Sequence, residues 1–298
     1  MTTPHSLAPG TLTLRETVNI LDTLYPPHTA EAWDAVGLIA GDPSTPIHKI
    51  LFAVDPVATV VDEAIEWGAN LVVTHHPLYL RGVHSVAATN FKGAVVHRLI
   101  TAGIGLYAAH TNADAAPRGV ADALADCIGL IDRKPLVARA DTADIGIGRV
   151  GRLGEPTSLY ALAQRVAAAV PATAQGVRIA GNLDAEVNTV AVVGGAGDSL
   201  FDAVRACGAD VYITADLRHH PASELREQAD FDETSGMSNS GKPFLIDLAH
   251  FASEWPWLRY AAHDVAQAIA QMLAQRGNPG TVSTRVSERS TDAWTARI

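Results

Sequence analysis

A strand–helix pattern that occurs twice constrains this chain more than any other feature. "KILFAVD" (49–55) reads as a strand, "ATVVDEAIEWG" as a helix, and "NLVVTHH" as the next strand. "FKGAVVHRLITAG" then reads as a helix and "IGLYAAHTNAD" as a strand running into a turn. The same order returns in "NTVAVVGGAG" (188–197), "DSLFDAVRACG", "ADVYITADLRHHP" and "KPFLIDLAHFASE". Gly68 and Gly103 stand where a helix ends and a positive φ is wanted. Alternation at this spacing predicts an α/β fold with mixed, largely parallel sheets. The duplicated strand–helix units predict two intertwined lobes around a central cleft, with polar residues collecting beyond the carboxyl ends of the strands.

Landmarks sharpen the repeat. "WGANLVVTHHP" sets beside "CGADVYITADLRHHP": helix, glycine, strand, Thr, then His-His-Pro. "LYAAHTNAD" sets beside "LIDLAHFASE": an apolar strand, then a His with an acid four residues on. His76 to His110 is 34 positions and His220 to His250 is 30. The chain divides on this reading into a first α/β repeat (1–132), a connecting segment that goes with the second lobe (133–187), a second repeat (188–276) and a tail (277–298). "LYALAQRVAAAV" is an amphipathic helix ended by Pro171. The polar stretch 226–242, rich in acids, Ser and Gly, is expected to be a mobile surface loop. The tail is expected to end as strand or to fray.

Length and charge limit the function classes. A chain of 298 residues, 48% hydrophobic and 18% charged, can bury a real core. A formal charge of −10 argues against a sequence-independent grip on nucleic-acid phosphates. Cys127 and Cys207 lack metal-type spacing and suit small core residues in a reducing compartment. The start has no charged n-region followed by an apolar h-region, and no stretch reaches the ~18–20 apolar residues of a membrane span. The expectation is a cytoplasmic protein with neither membrane nor nucleic acid as partner.

Five residues at equivalent strand ends form a metal hypothesis: His75, His76, Asp114, His250 and Glu254. Imidazole nitrogens and carboxylate oxygens suit divalent ions such as Zn²⁺, Mn²⁺ or Fe²⁺. Three His and two acids suit two ions better than one, and a carboxylate such as Glu254 or Asp114 can bridge them. Two ions about 3.5–4 Å apart suit activation of a water for attack on a phosphoryl or similar centre. The competing reading of each residue is a hydrogen-bonded strand end, and His-Pro is also turn chemistry. His110 and His220 stand at the same level and fit either proton transfer or a structural hydrogen bond. Asp55, at the end of its strand, is a polar lip residue. "GGAG" (194–197) reads as a tight turn, with an anion cradle as the alternative. The tryptophans of "EWPWL" suit packing behind the site, with base stacking as the alternative.

At "EAWDAVGLIAGDP" (31–43), "THHPLYL" (74–80), "HTNADAAPRGV" (110–120), "TADLRHH" (214–220) and "DLAHFASEWP" (247–256), the chain resembles the NGG-interacting-factor-three-like family. Members of that family often carry the name GTP cyclohydrolase I type 2 homologue. Ala215 and Ala249 stand where the family pattern has Gly; neither change removes a ligand. The resemblance implies a duplicated α/β fold and a homohexameric toroid of trimers with its sites facing inward. It also implies a dinuclear site held by His75, His76, Asp114, His250 and Glu254, with the glutamate as bridge. The modest length of 133–187 implies that the large inserted domain of some members is absent here. The expected function is a metal-dependent hydrolase of a nucleotide or related small molecule, GTP cyclohydrolase-like, with His220 or His110 moving protons. The alternative is a non-enzymatic metal-binding assembly or regulatory partner protein.

Overall fold

The fold was analysed in a computed structural model, which describes residues 10–139, 142–237 and 241–298. In chain order the first elements are β1 (Leu12–Thr13), α1 (Leu14–Leu24), β2 (Gly37–Ala40), β3 (Pro46–Ile47) and β4 (Lys49–Ala53). Next come α2 (Ala58–Trp67), β5 (Leu71–Thr74), α3 (Phe91–Thr101), β6 (Gly105–Ala108), α4 (Thr111–Ala115) and α5 (Val120–Cys127). The chain continues through β7 (Leu130–Arg139), β8 (Thr142–Ser158), α6 (Leu159–Ala169), β9 (Arg178–Ala180), β10 (Glu186–Ala196) and α7 (Phe201–Ala206). It ends with β11 (Val211–Ala215), α8 (His219–Thr234), β12 (Phe244–Leu248), α9 (His250–Glu254), α10 (Trp257–Gln275) and β13 (Ser283–Val286).

Contacts divide the chain into two units, Met1–Ala113 with Leu258–Thr291, and Asp114–Trp257 with Asp292–Ile298. In the first, the sheet order is β13-β4-β5-β6-β2. The pairings of β13, β4, β5 and β6 are parallel, and only β2 runs antiparallel to its neighbour β6. The strands β4 and β5 read as unbroken apolar runs because both faces are covered, and Leu51, Val72, Val95, Val96 and Leu99 meet in one core. The tail, read as strand or frayed, supplies the edge strand β13.

In the second unit the order is β7-β8-β10-β11-β12-β9. Here β10, β11 and β12 are parallel, while β7–β8, β8–β10 and β12–β9 are antiparallel. The expectation of mixed, largely parallel sheets is met, with the parallel pairings dominant in the first unit and confined to the centre of the sheet in the second. The cause is the segment 133–187, which adds a long hairpin on one edge and a short reversed strand on the other.

The duplication runs deeper than the landmarks suggested. Ile50 pairs with Leu71 and Val190 with Val211, so each first strand meets its partner 21 residues on. The Asn70 side chain accepts from the His48 and Lys49 amides, and Asp210 accepts from Asn188 and Thr189. The reversed strands β2 and β9 both lie against the third strand of their repeat and both end in a glycine with φ above +120° (Gly41 and Gly181). Even the opening helices match: α1 and α6 each span 11 residues, capped by Thr13 and Ser158. The repeat thus includes the amphipathic helix at 159–169, which the sequence left in a connecting segment.

The expectation of a mobile loop over 226–242 is corrected in its first half. Helix α8 continues to Thr234, with Leu225 and Ala229 buried on its inner side. Polar composition misled because its outer face is built from pairs four residues apart, Arg226–Asp230 and Gln228–Asp232. Residues 238–240 of that stretch lie outside the described residues. Among the described residues, no helix is long and apolar enough to cross a membrane.

Candidate metal centre

Strand β5 is buried along its whole length and stops at Thr74, whose hydroxyl donates to the His76 carbonyl and folds the chain end back. His75 and His76 therefore project at the carboxyl end of the sheet, and His110 follows the neighbouring strand β6. The three rings have centroids 5.1, 5.2 and 5.5 Å apart, and one nitrogen of each lies within 4.8 Å of the others.

Each ring is oriented through its Nδ1. His75, almost fully buried, donates from Nδ1 to the Ala109 carbonyl at 3.0 Å. His76 Nδ1 meets Asp55 Oδ1 at 2.6 Å, and His110 Nδ1 meets Asp34 Oδ1 at 2.9 Å. Such partners orient each ring through Nδ1 and make Nε2 the candidate ligand atom. Asp34 is itself held by the Thr111 amide at 3.0 Å and by the Thr111 hydroxyl. Burial alone raises the Asp34 carboxyl, but the bonds from His110 and Thr111 outweigh it and hold the group far below the usual carboxylate range.

The second unit builds a smaller donor set. On the single turn α9, His250 Nε2 and Glu254 Oε1 are 2.9 Å apart, as a spacing of four residues on one helix face requires. His250 Nδ1 meets Asp216 Oδ2 at 2.8 Å, and that bond, against partial burial, lowers the Asp216 carboxyl. Asp216 has φ +53°, a left-handed conformation that aspartate tolerates better than most residues. Gly195 makes room for the pair: a Cβ there would lie 2.7 Å from Glu254 Oε1 and 3.3 Å from His250 Cε1. Its amide donates to the Ser253 hydroxyl at 2.9 Å, and the Gly195 carbonyl accepts from Thr214. Where a tight turn was expected, Gly194–Ala196 of the "GGAG" run form the end of β10, fitted around α9.

The structure brings His75, His76 and His110 together in one unit, and His250 and Glu254 together in the other. Asp114 is half-buried on α4, four residues after His110. His219 and His220 are exposed on the first turn of α8, their rings in edge contact with each other. The register corrects the landmark that paired the two His-His-Pro motifs. By strand pairing, the counterparts of His75 and His76 are Ala215 and Asp216; His219 and His220 fall four residues further on, inside a helix. The His-x-x-x-acid pairs are likewise out of step by one: α4 starts at Thr111, after His110, whereas α9 starts at His250 itself.

Sequence reasoning missed Asp34 and Asp216, and gave Asp55 only a place at the lip. All three hold an imidazole, and none carries a spacing signal, because each partner is supplied by another strand or loop.

Fold and site together define a duplicated α/β protein whose strand ends present carboxylate-backed imidazoles able to hold a metal ion. The Duf34/NIF3 (NGG1p interacting factor 3) family model matches residues 12–279, and the chain belongs to that family. It is 48% identical over 289 residues to a Streptomyces coelicolor protein named GTP cyclohydrolase 1 type 2 homolog, covering 96% of this chain and 94% of the relative. A Mycobacterium tuberculosis protein of the same name is 34% identical over 387 positions, covering 94% and 96%. That alignment is longer than this chain, so the mycobacterial relative carries inserted residues that are absent here. Among solved structures, a Bacillus cereus protein related to NIF3 superposes with a TM-score of 0.78 at 22% identity, over 96% of this chain and 99% of the other. A hypothetical protein of Staphylococcus aureus gives 0.78 at 25% identity with the same coverage.

Proposed function

We propose that this protein binds two divalent ions through His75, His76, Asp114, His250 and Glu254 and acts as a metal-dependent hydrolase of a nucleotide or related small molecule. The observation that carries the reading is the Nδ1 engagement of His75, His76, His110 and His250. Each imidazole meets a carbonyl or carboxylate through Nδ1, which makes Nε2 the candidate ligand atom, and the His250 Nε2 already lies 2.9 Å from Glu254 Oε1. A merely structural histidine needs no such arrangement repeated four times. The names of the relatives support the hydrolase class, and GTP is the first substrate to test.

Divalent ions held here would supply Lewis acidity and a lowered pKa for water. The chain's own residues orient and shuttle. Asp55, Asp34 and Asp216 fix their imidazoles, and His110, with Asp34 at its back, is placed to hold or pass a proton. His220 is the second candidate for proton transfer, from an exposed helix turn. The homohexamer goes with this reading on the strength of the resemblance. Light scattering checks it: six times the 31.3 kDa chain is expected, and a monomer contradicts it.

The functional test is a turnover panel of GTP, other nucleotides and phosphoesters on metal-loaded protein. Turnover that falls at least tenfold in His76→Ala and Glu254→Gln is the expected result. Turnover that survives both substitutions overturns metal catalysis, and metal bound without turnover on any substrate favours a binding role.

A further inference from the structure

We propose that a cavity in the second unit, between the start of α8, the edge strand β9 and its neighbour β12, binds a small phosphorylated molecule with a planar or apolar body. The cavity has a volume of about 340 Å³, within the range of small-ligand sites. Its floor is apolar, made by Ile179, Leu217, Ala222 and Leu245. Three basic side chains line it, Arg178, His219 and Arg226, against one acid, Asp247.

Asp247 is not available to repel an anion. It is buried, and its Oδ1 accepts from the Leu217 amide at 3.0 Å. Its Oδ2 accepts from Gln175 at 3.1 Å, from Arg178 Nε at 2.7 Å and from Arg178 Nη2. The effect is to clamp the Arg178 guanidinium in one orientation. Among the described residues its Nη1 makes no hydrogen bond, and its side chain is 57% exposed. A planar fork fixed on one edge and open on the other suits a phosphate oxygen. Arg226 is braced differently, by the Gly241 and Pro243 carbonyls and Asp230, and stacks over Phe244 at 5.1 Å. It contributes charge rather than a free fork. Both arginines are ion-paired, Arg178 with Asp247 and Arg226 with Asp230, so what the cavity offers an anion is the outward edge of the Arg178 guanidinium and the His219 ring. The apolar floor gives such a ligand's body a place to lie, which a bare phosphate does not need.

The cavity stands at the carboxyl ends of β11 and β12, and Leu217 directly follows Asp216, the residue that holds His250. That the bound molecule is the substrate of the metal centre rests on the proposed function; its binding in the cavity does not.

The test is calorimetric titration of the full chain with AMP and GMP, with adenosine, guanosine and inorganic phosphate as controls. The monophosphates are expected to bind at least tenfold more tightly than either nucleosides or phosphate. Arg178→Gln is expected to weaken them by roughly tenfold or more. Ser223→Asp, which places a negative charge on the exposed cavity wall without touching the Asp247 clamp, is expected to do the same with its melting temperature unchanged. No monophosphate binding, or binding equal in wild type and both variants, overturns the proposal. Metal content measured in parallel keeps the two readings apart. Arg178-dependent binding by a protein that holds no metal sustains the cavity and sinks the metal centre, and intact metal content without binding does the reverse.

Discussion

Asn70 and Asp210 hold the entry into the first strand of their repeats by the same two backbone bonds, and only Asp210 adds a charge. Its second oxygen takes the Lys242 ammonium at 2.8 Å. Burial raises the Asp210 carboxyl, but Lys242 and the two amides outweigh burial and set it below its ordinary value. A folded-state value below the unfolded one adds stability above the ordinary aspartate range near pH 3.9, and that stability is lost as pH falls through the lower folded value. Asp210→Asn, which keeps an amide oxygen for the backbone as Asn70 does, is expected to cost about 1 kcal/mol at pH 7. The gap to wild type should close below about pH 4 in urea titrations; a gap that stays constant or widens on acidification contradicts this account. Gly195 is the second residue with a sharp consequence. It has φ +71° and no space for a Cβ beside Glu254, so Gly195→Ala is expected to cost about 1–3 kcal/mol and to lower metal content with it. Thermal unfolding and metal analysis of one preparation check both effects; wild-type values in both contradict the close approach.

Among elements, the central strands β4, β5, β6, β10, β11 and β12 and the helices α2, α3, α6 and α7 were legible because each carries a local signal, whereas the β7–β8 hairpin was not. "KILFAVD" and "NLVVTHH" are apolar runs of the length that doubly covered strands require, and Gly68 ends α2 with φ +72°. Helix α8 was not legible: its burial depends on Leu225 and Ala229 alone, and its polar surface reads like a loop. Strand β2 was missed for a related reason, since four largely half-buried residues at a sheet edge carry no clear alternation, whereas β9 was legible as the short strand-like "GVRIAG". The matching helices α1 and α6 offer a test of the duplication as physics. Thr13 closes a reciprocal capping box with Glu16, whereas Ser158 caps the Ala161 amide alone. Thr13→Ala is expected to cost about 1–2 kcal/mol and Ser158→Ala about 1 kcal/mol or less. Denaturant midpoints with unchanged slopes check the order, and a larger loss at Ser158 reverses it.

At the scale of the whole molecule, the repeat was readable while the chain's path between units was not. The units change over at Ala113–Asp114 and Trp257–Leu258. Helix α5 follows the first repeat yet belongs to the second unit, and most of α10 follows the second repeat yet belongs to the first. No local pattern in either helix announces such an exchange, because it is decided by which sheet offers an uncovered face. The histidines after β5 and β6 could be picked out because histidines at strand ends are sparse and local. Their carboxylate partners were not, because Asp34 is 76 positions from His110 and Asp216 is 34 from His250. The register also shows that the two halves do not repeat their chemistry: Asp216 stands where His76 would be, and has become the support of His250.

The central claim is the proposal that His75, His76, Asp114, His250 and Glu254 hold divalent metal. Inductively coupled plasma mass spectrometry of protein purified without added metal tests it most directly, on wild type, His76→Ala and Glu254→Gln side by side. The account predicts about two divalent ions per chain in wild type and a clear loss in each variant at unchanged fold. Wild-type protein with no divalent metal above background, or equal metal in all three, contradicts it.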